Sequence, residues 1–165
     1  MILSWDAIVN EVRLWNINIV PFNKKQINPN SYNYRIWDSI KKYSYSDKKG
    51  KPVFLEEKIS ANWYILESNQ MYLSSTYESI WSKKYMTSLI WKSSIWRLWL
   101  FLQLSANIWH TGTYHKRTLE LYATKSIKIY PNMIIWQVTF RRNTGVINKY
   151  EWKYSLYNTP KESIN

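Results

Sequence analysis

The sequence predicts an all-β domain of the sandwich or distorted jelly-roll kind, carrying one or two short helices. Three observations lead there. Short runs rich in Ile, Leu, Tyr, Phe and Val recur along the chain, bounded by Asn, Ser, Pro and Asp. Helical spacing is clear only near the N-terminus. The 165 residues are 45% hydrophobic and 21% charged, enough to bury one sizeable core and unlike a disordered chain.

Taken in order, Ser4 is the expected N-cap of a helix over "WDAIVNEVRL", with Asp6 in its first turn and Ile8, Val9 and Val12 on one apolar face. After Pro21 the chain reads as strands and turns. "NPNSYNYRI" is a turn followed by alternation, and "SDKKGKP" is a polar loop. "WYILESNQMYLSSTYESI" holds two β-rich runs around a Ser-Asn turn. "LWLFLQLSANI", "RTLELYA", "SIKIY" and "MIIWQVTF" are further strands, the last two joined by the turn "YPNM". No internal repeat or linker interrupts the series. A single domain over residues 1–157 is expected, with 158–165 a mobile tail.

The net charge of +12 points to anionic partners, whether nucleic acid, phosphorylated small molecules or an anionic membrane surface; the plain alternative is a solubilising surface, since the basic residues are scattered. There is no cysteine, which excludes disulfides and thiolate metal sites and fits a reducing compartment. No apolar run approaches the roughly 18 residues of a membrane span. The N-terminus lacks the basic-then-apolar layout of a signal peptide. A soluble cytoplasmic protein with no membrane partner is the expectation.

Tryptophan, at 11, and glycine, at 3, are far from their usual proportions. Average usage of about 7% predicts roughly a dozen glycines in a chain of this length, close to the two counts taken together. Trp37 in "YRIWDS", Trp63 in "ISANWYIL" and Trp152 in "KYEWKY" sit among polar turn-formers, where a glycine is expected. The codon UGA is read as tryptophan in some genetic codes and as glycine in others. The tryptophans therefore read as positions where the natural protein has glycine; the competing reading is an authentic tryptophan-rich surface for carbohydrate or nucleic acid.

Two segments carry chemistry. "KSSIWR" gathers two hydroxyls and two cations. Arg97 offers a planar fork, Lys92 a point charge, and Ser93 and Ser94 offer hydrogen bonds without bulk, a set suited to phosphate. In "RTLELYA", strand alternation puts Thr118 and Glu120 on one face and Leu119 and Leu121 on the other. A carboxylate so flanked is suited to general acid–base work, although an exposed glutamate on a half-buried sheet is the commoner outcome of such a pattern. His110 and His115 are the only histidines. With no cysteine the chain cannot build a His/Cys/Cys zinc centre, and no zinc is expected.

In order, these segments resemble the dCTP deaminase branch of the dUTPase superfamily over essentially the whole chain. The family opens M-I-L-S, as here. Its P-x-S-Y-D-x-R-L-G stands as "PNSYNYRIW", its G-R-S-S-x-x-R-L-G as "WKSSIWRLW", and its T-L-E strand as Thr118-Leu119-Glu120. Its P-G-M-x-I-x-Q-x-x-F stands as "PNMIIWQVTF" and its Y-x-G-K-Y as "YEWKY". Most of the tryptophans fall at or beside positions where this family favours glycine.

The resemblance implies a β-clip, dUTPase-like jelly roll assembled as a homotrimer, with active sites between neighbouring subunits. It implies deamination of dCTP to dUTP and ammonia, with Mg2+ accompanying the triphosphate and dTTP as a possible feedback inhibitor. Lys92, Ser93, Ser94 and Arg97 would hold the triphosphate, helped by Lys153. Glu120 would be the catalytic acid and base, taking a proton from a water held by Ser93 and the Ala106 carbonyl. Thr118 and Gln137 resemble base- and sugar-site residues, and Tyr150 packs on the deoxyribose by the same analogy. Three positions depart from the pattern: Lys92 replaces the usual arginine, His110 falls where an aspartate is common, and Tyr157 falls near an expected glutamine that reads the base. The alternatives are a dUTP diphosphatase or bifunctional enzyme and, in a different class, a non-catalytic nucleic-acid-binding β domain.

Overall fold

A computed structural model describes residues 1–102, 107–150 and 159–160. The opening helix is α1 (Trp5–Arg13), with Ile8 buried and Asp6 in its first turn. Ser4 takes the N-cap position in extended backbone, but its hydroxyl makes no cap bond. Then come β1 (Ile17–Val20), a short 3-10 turn (Lys24–Gln26), β2 (Ile27–Asn28) and the long β3 (Ser31–Ser46). They are followed by β4 (Pro52–Lys58), β5 (Tyr64–Leu66), β6 (Gln70–Ser82) and β7 (Tyr85–Trp91). A second helix, α2 (Ser93–Trp96), precedes β8 (Leu100–Leu102), β9 (Ile108–Trp109), β10 (His115–Ala123), β11 (Ile127–Ile129) and β12 (Ile134–Arg142).

Ten strands form one antiparallel sheet in the order β8-β10-β6-β3-β12-β7-β9, with β1 on β6 and with β2 and β4 on β3; β5 and β11 pair separately. The expected all-β class is observed. β3 is the shared strand. Its first half, Tyr32–Arg35, pairs with β12, while Ile36 and Ile40–Lys42 pair with β6. The register shifts between Ile36 and Ile40, a bulge that redirects the strand from one neighbour to the other.

Several expectations are corrected. The stretch "LWLFLQLSANI" is strand only in part among its described residues: Leu98 and Trp99 are turn, β8 takes Leu100–Leu102, residue 107 is irregular, and β9 begins at Ile108. β1, β4, β7 and α2 were not foreseen as separate elements, although α2 falls within the expected one or two short helices. The expected mobility of the C-terminal tail falls almost wholly outside the described residues.

The core is aliphatic and tyrosine-rich, with Tyr32, Tyr34, Ile36, Tyr72, Ile80, Leu119, Leu121 and Phe140 all buried. One buried group is a carboxylate. Glu78 on β6 is fully buried and accepts from the Arg35 backbone N–H at 2.8 Å, from Arg35 Nε at 2.7 Å and from Gln26 Nε2 at 3.1 Å. Gln26 also donates to the Asn33 carbonyl at 2.7 Å. Beside it, Thr76 Oγ1 donates to the Glu78 carbonyl and accepts from the Arg117 backbone N–H on β10. The carboxylate therefore ties β6 to β3 and to the 3-10 turn, and its neighbour ties β6 to β10.

Arg117 is buried at a bulge of β10, its guanidinium 4.5 Å from the centre of the Trp109 ring and donating to the Thr113 hydroxyl and to the Ile80 and Thr113 carbonyls. Burial pushes Arg117 down to about 9, against the opposing influence of Tyr34. His115, two residues earlier, is pushed down from 6.5 to about 4, first by burial and then by the Arg117 charge.

Two outcomes follow. Glu78→Ala strands the Arg35 N–H and removes the counter-charge of its guanidinium, and costs about 3–5 kcal/mol of stability by urea unfolding. His115 is held neutral when folded but takes a proton when unfolded. Its contribution is therefore complete above about pH 6.5 and is lost as pH falls towards 4. The stability difference between pH 7 and pH 4.5 shrinks in His115→Gln by roughly 1–2 kcal/mol, allowing for partial solvent screening.

Candidate active site

The chemistry of β10 begins with its alternation. Arg117, Leu119, Leu121 and Ala123 are buried, while Thr118, Glu120 and Tyr122 are part-exposed on the opposite face. Thr118 stands across from Ser75 of β6, whose hydroxyl is buried without a hydrogen-bond partner, and Glu120 stands across from Leu73. On its other edge β10 pairs with β8, placing Phe101 opposite Tyr122. Phe101 therefore shares the face of Glu120. This residue was missed from sequence, although the phase of "LFL" sets it apart from the buried Leu100 and Leu102.

The cationic hydroxyl cluster lies next along. Lys92 is the N-cap residue of α2, its carbonyl accepting from the N–H groups of Ile95 and Trp96. Ile95 is the one buried side chain of the helix and anchors it. Ser93, Ser94 and Arg97 are exposed around that anchor, and Lys92 Nζ donates to Ser94 Oγ at 3.1 Å. α2 packs against β8, the strand beside β10. The predicted phosphate group and the predicted carboxylate are thus carried by neighbouring elements, α2–β8–β10. Trp91 and Trp96 pack edge-on to Phe101 at 5.9 and 6.2 Å between ring centres, so two indoles crowd the face that bears Glu120.

The remaining predicted residues lie on the branch of the sheet built on β7, the strand that runs into α2: Gln137 of β12 stands across from Ile90, two residues before Lys92, and β9, just before His110, pairs at Thr87 and Ser88. Gln137 on β12 donates to Asn33 Oδ1 at 3.1 Å. His110 follows β9 and stacks on Tyr150, rings 5.2 Å apart and inclined by 11°. The Tyr150 N–H donates to the Thr111 carbonyl at 3.0 Å. A cavity of about 200 Å³ opens here, lined by Met86, His110, Thr111, Asn143, Thr144, Val146, Ile147 and Asn148. A larger cavity of about 360 Å³, between the start of α1 and β2, contains none of the predicted residues. Ala106, Lys153 and Tyr157 lie outside the described residues. Among the described residues no group of three His, Cys, Asp or Glu gathers closely enough to hold a metal, and no helix is long and apolar enough to cross a membrane.

Comparison with known proteins adds an independent line. The pattern of the dCTP deaminase-like family matches residues 2–143. A protein of Clostridium beijerinckii named "dCTP deaminase, dUMP-forming" is 34% identical over 167 residues, covering 100% of this chain and 92% of its own. Proteins with the same name from Hathewaya histolytica and Leptospira biflexa are 33% and 32% identical over 91% and 92% of this chain, and 88% and 87% of theirs. Among solved structures, the 2'-deoxycytidine 5'-triphosphate deaminase of Agrobacterium tumefaciens superposes with a TM-score of 0.70 at 21% identity, over 89% of this chain. This chain spans 50% of the length of that solved chain, and the likeness concerns the fold.

Proposed function

This chain belongs to the dCTP deaminase-like family, and from that premise we propose that it hydrolyses dCTP to dUTP and ammonia without zinc. The observation that carries the reading is the adjacency of α2 and β10 across β8. An exposed pair of serines with two cations lies one strand away from a carboxylate turned off the core.

In this reading Lys92, Ser93, Ser94 and Arg97, with Lys153, hold the triphosphate, and Mg2+ arrives with it as part of the substrate. Arg97 supplies the bidentate fork, and Lys92 supplies charge where its family has a second fork. Ser93 and the Ala106 carbonyl position a water. Glu120 takes a proton from that water as its oxygen attacks C4 of cytosine, then delivers protons to the exocyclic nitrogen. The C4–N bond breaks, ammonia leaves and a carbonyl remains at C4. Thr118 and Gln137 contact base and sugar, and Tyr150 packs on the deoxyribose. In this reading, as the family resemblance implies, a neighbouring copy completes the site, as a trimer would provide.

A second reading is favoured by the relatives' name: the same enzyme carries dCTP on to dUMP and diphosphate. Against it stands His110, an imidazole where the family pattern has a carboxylate. Protein from its native host, incubated with dCTP and Mg2+, is expected to release ammonia and dUTP in equal amounts. Diphosphate with dUMP would replace the first reading by the second, and absence of ammonia would remove both. Glu120→Gln in the same background is expected to lose ammonia release by about 10²–10⁴-fold while still binding dCTP; unchanged turnover would strip Glu120 of its role.

A further inference from the structure

Two tryptophans occupy backbone that tryptophan does not choose. Among the described residues, four side-chain-bearing residues have positive φ: Asn69 at 57°, Asn132 at 60°, Trp15 at 57° and Trp99 at 63°. Asparagine tolerates the left-handed region because its short amide bonds locally, whereas a bulky side chain there is an outlier. Trp15 follows Leu14, the C-cap residue of α1. Its N–H donates to the Val12 carbonyl at 3.1 Å, and the Asn16 N–H reaches back to Glu11 at 3.0 Å. This is the paired closure of a Schellman motif, with Trp15 at the position glycine usually fills. Trp99 ends the turn after α2, donating to the Trp96 carbonyl and accepting from the Thr124 N–H and hydroxyl.

The side chains gain little in return. Trp15 is 67% exposed and Trp99 53%, and Trp5, Trp63, Trp91 and Trp96 are each exposed by 40% or more. Where an indole is fully buried, at Trp136, its N–H has no hydrogen-bond partner, which burial makes costly. Four of the rings lie under a lysine: Lys24 over Trp5, Lys116 over Trp37, Lys125 over Trp99 and Lys128 over Trp63.

We infer that the residues written as tryptophan in this chain are glycine in the protein its host makes. Backbone at Trp15 and Trp99, exposure at six positions, the orphaned N–H of Trp136 and the glycine deficit all point the same way, and none depends on the deaminase reading. For the candidate site, glycine at 91 and 96 removes both indoles beside Phe101 and opens the face of Glu120.

The test has two arms. Peptide masses from host-derived protein are expected to show glycine at 15 and 99, with UGA as the underlying codon; tryptophan masses at both positions would overturn the inference and leave an authentic aromatic surface. In recombinant chain as written, Trp15→Gly and Trp99→Gly are each expected to raise Tm by roughly 2–4 °C, whereas Trp15→Ala and Trp99→Ala, which keep a Cβ, give no such rise. Glycine no better than alanine at both sites would count against it equally. If the recombinant variants fail to fold, the peptide masses decide alone. Neither arm measures nucleotide turnover, so failure of the deaminase reading leaves this outcome intact.

Discussion

A single buried carboxylate organises the sheet. Glu78 is withdrawn from water, and a charge so placed is tolerable only when its lone pairs are answered. Three donors answer it: the backbone and side chain of Arg35 and the amide of Gln26. They come from two pieces of chain, β3 and the 3-10 turn, so the requirement to satisfy one anion on β6 fixes where the three meet. Thr76, two residues before Glu78, extends the arrangement by accepting the Arg117 N–H. Through that bond the register of β10 is set, and with it the side to which Glu120 turns.

Much of this was legible in the residues, and what was not has a physical reason. Alternation in "RTLELYA" gave the burial of Leu119 and Leu121 and the outward face of Glu120, because a strand has a strict two-residue period. Turn chemistry placed Asn132 in "YPNM" and the Ser-Asn turn, and both asparagines adopt left-handed backbone. The helix α1 was clear from its apolar spacing. Glu78 was overlooked, although "YLSSTYESI" puts it in phase with Tyr72, Thr76 and Ile80; a glutamate in core phase signals a buried ion pair. α2 was invisible because a helix of one turn has no periodicity to read, and it exists through the anchor Ile95. Sheet pairing across β3 was beyond reach, since partners lie dozens of residues apart and no local pattern names them.

The candidate site shows the same division. Motif order identified the family, and the structure places Ser93 and Ser94 on α2 and Lys92 and Arg97 at its two caps, beside the strand next to Glu120. Gln137 comes near that group, across from Ile90 two residues before Lys92, a proximity that sequence spacing could not show, whereas His110 and Tyr150 lie farther along β7, beyond the pairing of Thr87 with Trp109. His110 is the sharpest local departure, and its stack on Tyr150 couples the substituted position directly to the ring assigned to the sugar.

The ring-capped lysines bear on how a polyanion would find this surface. Exchanging an indole for hydrogen leaves the formal +12 unchanged, yet Lys24, Lys116, Lys125 and Lys128 lose the π-clouds over which they rest. The exposed ammonium heads of Lys24, Lys125 and Lys128 then gain hydration and angular freedom, and their outward potential strengthens over a range of about 8–10 Å set by ionic screening. Capture of a triphosphate from solution would become faster in dilute salt and more steeply dependent on added salt.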